Sequence, residues 1–191
     1  YTAIALLTLA LGIGVNTSMF SVLDTLLFRH APYPEPARLV PVPPVSRPGG
    51  MRTFSDAELR EIGAQADGFS SLTPLGYPFY AMAEAGRPAE RVRGLSLSSG
   101  MIDTFRTAPL LGRMFTEEEF KPGKNQAVLL SEQFWRARFG GDAGVVGRSL
   151  RLDGETVTIV GVMPARFDYK LFWGNVTLWR PLNFTADQSN I

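Results

Sequence analysis

The first 23 residues, Tyr1 to Leu23, carry no charged side chain, although 19% of the chain is Asp, Glu, Lys or Arg. Coiled as an α-helix, this stretch is roughly 35 Å long, enough to cross a hydrocarbon core of about 30 Å. The remainder of the chain is therefore expected to be a folded body tethered to a bilayer. A secretory signal peptide has a basic start, a short apolar run and a small-residue cleavage site. This chain opens on Tyr1 with no basic flank and no initiator Met, and its run IALLTLALGIGV continues through Asn16 to Phe20 and Leu23. The expectation is a piece cut from a longer protein. Asn16, Thr17 and Ser18 favour neighbouring transmembrane helices, because hydroxyl and amide groups bond between helices in lipid while Gly12 and Gly14 allow close approach. A helix buried in a soluble core is the competing reading. The word Gly12-Ile13-Gly14-Val15-Asn16-Thr17 imitates a dinucleotide-binding loop but lacks the third glycine and a separate preceding strand.

About 165 residues remain, enough for one domain or two small ones with a buried core. A formal net charge of +1 removes the electrostatic case for nucleic acid. Cysteine is absent, which excludes disulfides and thiolate zinc sites and suits a cytosol and a periplasm equally. Only Arg29 and Arg38 come closely after the apolar segment, too few to orient it by the positive-inside rule.

The helix is expected to end near Phe28, with Arg29 and His30 among lipid headgroups and Pro32, Pro34 and Pro36 stiffening the exit. Leu39 to Val42 reads as a short strand, and Pro43 to Gly50 as an exposed, mobile loop. Ser55-Asp56-Ala57-Glu58 is a capping-box pattern, followed by Leu59, Ile62 and Ala66 on one helical face and ended at Asp67-Gly68. Phe69 to Leu75, Phe79 to Ala85 and Glu90 to Ser98 read as strands, the last two an antiparallel pair with a bulge at Gly94. Gly100 to Phe105 reads as a short helix, and Thr116 to Glu119 as a second capping box. Ala127 to Leu130 is a buried strand leading into a helix capped by Ser131, in which Trp135 and Phe139 share a face and Gly140-Gly141 ends the element. Arg148 to Leu152 and Glu155 to Val162 flank Asp153-Gly154 as the clearest hairpin in the chain, with Leu150, Leu152, Val157 and Ile159 on the buried face. Pro164 ends the second strand, and Val176 to Trp179 is the last strand predicted.

Chemistry-bearing patterns are sparse. A nucleophilic triad needs a base, and the single histidine, His30, lies beside the membrane. Glu117, Glu118 and Glu119 are consecutive, so on a helix they splay around the axis instead of converging on a cation. They read as a solvated helix start favoured by the dipole. Gly141 to Ser149, GDAGVVGRS, resembles a phosphate loop only superficially: Gly141 and Gly147 are one residue too far apart, and Arg148 stands where the lysine belongs. Phe134, Trp135 and Phe139 read as core packing, not as a ligand cage. No spacing singles out a pair among the 18 acidic residues for glycosidase chemistry.

The run Val128-Leu129-Leu130-Ser131-Glu132-Gln133-Phe134-Trp135-Arg136-Ala137-Arg138-Phe139-Gly140-Gly141-Asp142 continues through Val145-Val146-Gly147 to Val160-Gly161-Val162-Met163-Pro164. It resembles the periplasmic core domain of MacB-like ABC transporter permeases, of the MacB and FtsX type. At the other end ALLTLALGIGVNTSMFSVLD, with the exit Tyr33-Pro34-Glu35-Pro36-Ala37-Arg38-Leu39-Val40, is similar to the first transmembrane helix of that family. Two separated blocks in the expected order extend the resemblance over essentially the whole chain.

The resemblance implies an α+β protein: an N-terminal transmembrane helix, then a periplasmic domain of mixed or antiparallel sheet with packed short helices, arranged as a porter-like lobe with a variable inserted lobe. The division it implies is a membrane helix at 1–28, a proline-rich exit at 29–50, and a core domain at 51–191 that stops before a second membrane helix. It implies a non-enzymatic permease subunit of the bacterial inner membrane, with the domain on the periplasmic side. The domain would transmit or gate substrate movement, in efflux or envelope export, driven by a separate cytoplasmic ATPase domain or subunit. Partners on this reading are that ATPase, a second permease copy, a periplasmic adaptor and the lipid bilayer, with no nucleic acid, no cofactor and no metal. Ser131, Trp135, Phe139, Gly140, Gly141, Gly147, Gly161 and Pro164 are the family-motif positions, and the roles expected of them are fold-forming, with no catalytic residue among them. The alternative class is a singly anchored extracytoplasmic binding or adaptor module. A membrane-anchored hydrolase stands third and would need a cleft holding two carboxylates with raised pKa values.

Overall fold

A computed structural model describes residues 1–23, 40, 42, 46–47, 50–51, 56–65, 68, 72–84, 86–105, 107–168 and 174–183. The chain divides into two units, Tyr1–Pro32 and Tyr33–Ile191.

In the first unit, α1 spans Thr2–Leu23, and its Thr2–Ser21 stretch is long and apolar enough to cross a membrane. Two of its hydroxyls are satisfied within the helix: Thr8 Oγ1 donates to the carbonyls of Ile4 and Ala5 at 3.1 and 3.0 Å, and Ser18 Oγ to that of Gly14 at 2.8 Å. Such back-bonding leaves these side chains no unmet donor in a medium without water. The expected helix end near Phe28 and the proline exit lie outside the described residues.

The second unit holds ten strands and three α-helices among its described residues. Ser46–Arg47 (β1) and Gly50–Met51 (β2) form a small antiparallel pair, and Asp56–Gln65 is helix α2. Leu75–Gly76 (β3), Phe79–Ala83 (β4) and Glu90–Leu97 (β5) come next, then helix α3 at Ser99–Phe105 and Leu111–Gly112 (β6). Ala127–Ser131 (β7) runs into helix α4, Glu132–Phe139, and the hairpin of Ser149–Leu152 (β8) and Glu155–Met163 (β9) precedes Leu178–Pro181 (β10).

Six of these strands close on themselves. The ladders run β10 to β7, β9, β8, β4 and β5, and a parallel β5–β10 ladder, Gly94 through Leu97 against Leu178 through Pro181, joins the two ends. A strand alternates its side chains, so closure sorts them into an inside and an outside. Inside lie Tyr80, Met82, Val92, Val128, Leu130, Leu150, Leu152, Val157, Ile159 and Leu178, with Trp135 of α4 packed against them. Full burial of each aliphatic chain contributes about 1.5–3 kcal/mol. On the outside, Leu95, Leu97, Leu129 and Trp179 are also buried, and part of their cover is an aromatic stack in which Phe167 meets Phe105 and Trp179 edge-on at 5.8 and 5.3 Å.

Several expectations change. Val40 and Val42, the described residues of the first predicted strand, are exposed and in no strand. The loop read as mobile at 43–50 contributes Ser46–Arg47 and Gly50 to the β1–β2 pair. Of the described residues in the range Phe69 to Leu75, Leu75 is in a strand and residues 72–74 are not; residues 69–71 lie outside the described set, as does the capping Ser55. Gly94 is not a bulge: Leu75↔Leu97 and Phe79↔Arg93 share one register, and the Gly94 NH donates to the Pro78 carbonyl at 2.9 Å. Glycine is needed there because a Cβ would stand 2.4 Å from Tyr80 Cε2. The bulge is in β9, where the register against β7 jumps from Ile159 to Gly161. It lets β9 leave β8 and take β6 as its new neighbour. The last strand begins at Leu178, two residues later than expected, and runs through Pro181.

Candidate functional site

The motif residues gather where α4 meets β7 and β9. Ser131 ends β7 in an extended conformation, and its Oγ accepts the Phe134 NH at 3.2 Å, satisfying one of the free donors of the first helical turn. Trp135, 8% exposed, packs on the core and donates from Nε1 to the Asp142 carbonyl at 2.9 Å. Phe139 meets Phe134 edge-on at 6.0 Å and lies against the same cluster. Gly140 and Gly141 are both left-handed, at φ 63° and 76°, which turns the chain back under the indole. Gly147, also left-handed, donates its NH to the Ile159 carbonyl at 2.8 Å. Gly161 lies where β6 crosses β9, and a Cβ there would come within 2.8 Å of the Leu111 and Arg113 carbonyl oxygens. Pro164 starts a turn whose Ala165 NH is held by the Glu132 carboxylate at 3.0 Å.

The charges of this region are paired. Hydrogen bonds from the Ala165 NH and then Arg136 hold the Glu132 carboxyl below the usual carboxylate range. Arg113 grips Glu119 through its two terminal guanidinium nitrogens, and that contact, with the Thr116 NH, lowers Glu119 in the same direction. Arg138 reaches Glu84 and Glu90, and Arg148 reaches Asp142. Buried Arg180 reaches Glu155 from inside the ring while lying 5.4 Å from the Tyr80 ring centre. Among the described residues no group of three or more His, Asp or Glu is placed to hold a metal ion. Among the described residues the Glu118, Glu119 and Glu132 carboxyls are each held below the usual carboxylate range, Glu118 first by its hydrogen bond from Lys121.

Sequence reasoning missed the bare part of the outer surface of the ring. Phe79 and Arg93 are opposite one another across β4 and β5, as are Ala81 and Arg91. Ala83 stands opposite Arg151, and Arg151 opposite Thr156, so all these side chains share one face. Phe79 is 52% exposed under the Arg91 guanidinium at 4.2 Å, and Tyr77 is 46% exposed with Arg93 5.8 Å from its ring centre. Burial pushes the Tyr77 hydroxyl up and nearby Arg93 opposes it. The alternation Arg91-Val92-Arg93 and Leu150-Arg151-Leu152 signals outward arginines on two hairpins. That the hairpins lie side by side is not written in either.

A family model described as MacB-like periplasmic core domain matches residues 2–191. The periplasmic region of MacB from Actinobacillus actinomycetemcomitans is similar at 16% identity and a TM-score of 0.54, over 69% of this chain and 56% of that one. The chain thus spans little more than half of that solved region. The extracellular domain of the noncanonic ABC-type transporter YknZ from Gram-positive bacteria is 18% identical, with a TM-score of 0.49, over 71% of this chain and 75% of that one. No curated protein matches.

Proposed function

Because the chain belongs to the family of MacB-like periplasmic core domains, the extracytoplasmic part of ABC-type transporter permeases, we propose that it relays or gates substrate movement across a cell envelope. On this reading α1 anchors the chain in the inner membrane and the closed strand ring stands on the far side from the cytosol. A separate cytoplasmic ATPase supplies the energy, a second permease copy completes the transporter, and a periplasmic adaptor extends it toward efflux or envelope export. The observation that carries the proposal is the family match across both the uncharged helix and the sheet domain. Packing supports it too, since Ser131, Trp135, Phe139, Gly140, Gly141, Gly147, Gly161 and Pro164 cap, pack or turn the junction of α4, β7 and β9. We read those residues as fold-forming, the protein as no enzyme, and the division at 28 and 50 as membrane segment, exit and core.

Tagged protein purified in mild detergent should bring down an ABC ATPase in comparable amount, and vesicles holding both should move substrate only with ATP. Purification of a stable anchored protein with no ATPase, from cells that express it normally, would overturn the proposal in favour of an anchored binding module.

A further inference from the structure

We infer that the bare outer face of β4, β5 and β8 docks an acidic surface of a partner protein, with Arg91, Arg93 and Arg151 reading carboxylates and Phe79 and Tyr77 supplying apolar contact. Charge segregation carries the argument. The carboxylates nearest these strands are drawn elsewhere: Glu84 and Glu90 to Arg138 of α4, and Glu155 to Arg180 of the ring interior. Asp153, at the end of β8, commits Oδ1 to the Ala81 NH at 2.7 Å. No ion pair involves Arg91, Arg93 or Arg151 among the described residues, nor Arg87 or Arg166, and the Arg151 Nη2 donates to the Gly154 carbonyl at 3.1 Å; of these only Arg91, Arg93 and Arg151 lie together on one strand face, whereas Arg113, Arg136, Arg138, Arg148 and Arg180 are paired. The Arg93 Nε is buried and finds no hydrogen-bond partner there.

Arginine and aromatic side chains are the residues enriched at the centres of protein interfaces, and guanidinium groups hold carboxylates in a fixed fork. A strand face with its apolar contacts at Phe79 and Tyr77, flanked by guanidinium groups that no described carboxylate meets, fits a protein surface carrying carboxylates around a hydrophobic spot. Anionic lipid headgroups would answer the same charge through phosphate, and the test separates the two. The partner's place outside the cytosol rests on the reading above. Affinity is measured without transport, so failure here leaves that reading standing.

The full chain in nanodiscs of zwitterionic lipid is titrated into a dye-labelled glutamate homopeptide and followed by anisotropy. Binding should tighten as salt falls and weaken about tenfold in the combined Arg91→Gln, Arg93→Gln and Arg151→Gln variant. The Arg136→Gln, Arg148→Gln variant, which removes guanidinium groups already paired, should bind as the unaltered chain does. If the triple variant melts early, Arg91→Gln alone reads the same effect at about threefold. Equal weakening in both sets, or no weakening in either, overturns the inference. So does displacement of the peptide by glycerol phosphate at matched concentration, which would make the face a phosphate reader.

Discussion

Gly161 shows how one missing methyl group shapes this domain. The carbonyls of Leu111 and Arg113 occupy the space a side chain would need, so β6 can lie against β9 only while residue 161 is glycine. Gly161→Ala should therefore lower the unfolding free energy by about 2 kcal/mol, read by denaturant titration of tryptophan fluorescence. Gly63, on helix α2 with nothing within 4 Å of its absent Cβ, is the matched control. Gly63→Ala should raise stability by about 0.5–1 kcal/mol because alanine is the better helix former. A loss at both positions would mean that space around Gly161 is not the cause. Ser131→Ala removes the hydroxyl that accepts the Phe134 NH and should cost about 1 kcal/mol.

At the scale of elements, α4 is held to its surroundings by a carboxylate as well as by apolar packing. Glu132 ties the start of α4 to the turn after β9 through Ala165, and its pKa is lowered by that bond first and by Arg136 second. A depressed folded-state pKa adds stability that is complete above the carboxylate range of the unfolded chain and is lost as pH falls through the folded value. Acid unfolding of the unaltered protein should show that loss, and Glu132→Gln should flatten the acid limb while lowering stability near neutrality. An unchanged acid limb would assign the tie no role. These local features were legible in the sequence because each rests on neighbours: Ser131 before the α4 run, Gly140 after it, and Asp153-Gly154 between two alternating strands. The β6 strand and the parallel β5–β10 ladder were not, because a two-residue strand has no period and a pairing between Gly94 and Leu178 leaves no mark near either. For the same reason the arginines of β5 and β8 could be seen to point outward but not to share a face.

The molecule as a whole offers an unusually clean test of its orientation, since it contains no cysteine. Lys124→Cys places a thiol on an exposed turn, and Asn16→Cys places one within the apolar helix. A membrane-impermeant maleimide should label the first in intact inner-membrane preparations that face outward, and reach the second only after detergent. Labelling of position 124 only in inverted vesicles would place the domain on the cytosolic side and end the permease reading as stated. Closure of the ring has one more outcome. β10 is the last of the ten described strands in chain order, and it alone bridges β5 to β7. A chain delivered N-terminus first therefore keeps both of those edges open until Pro181 has arrived, the interval in which two copies can most readily pair with each other.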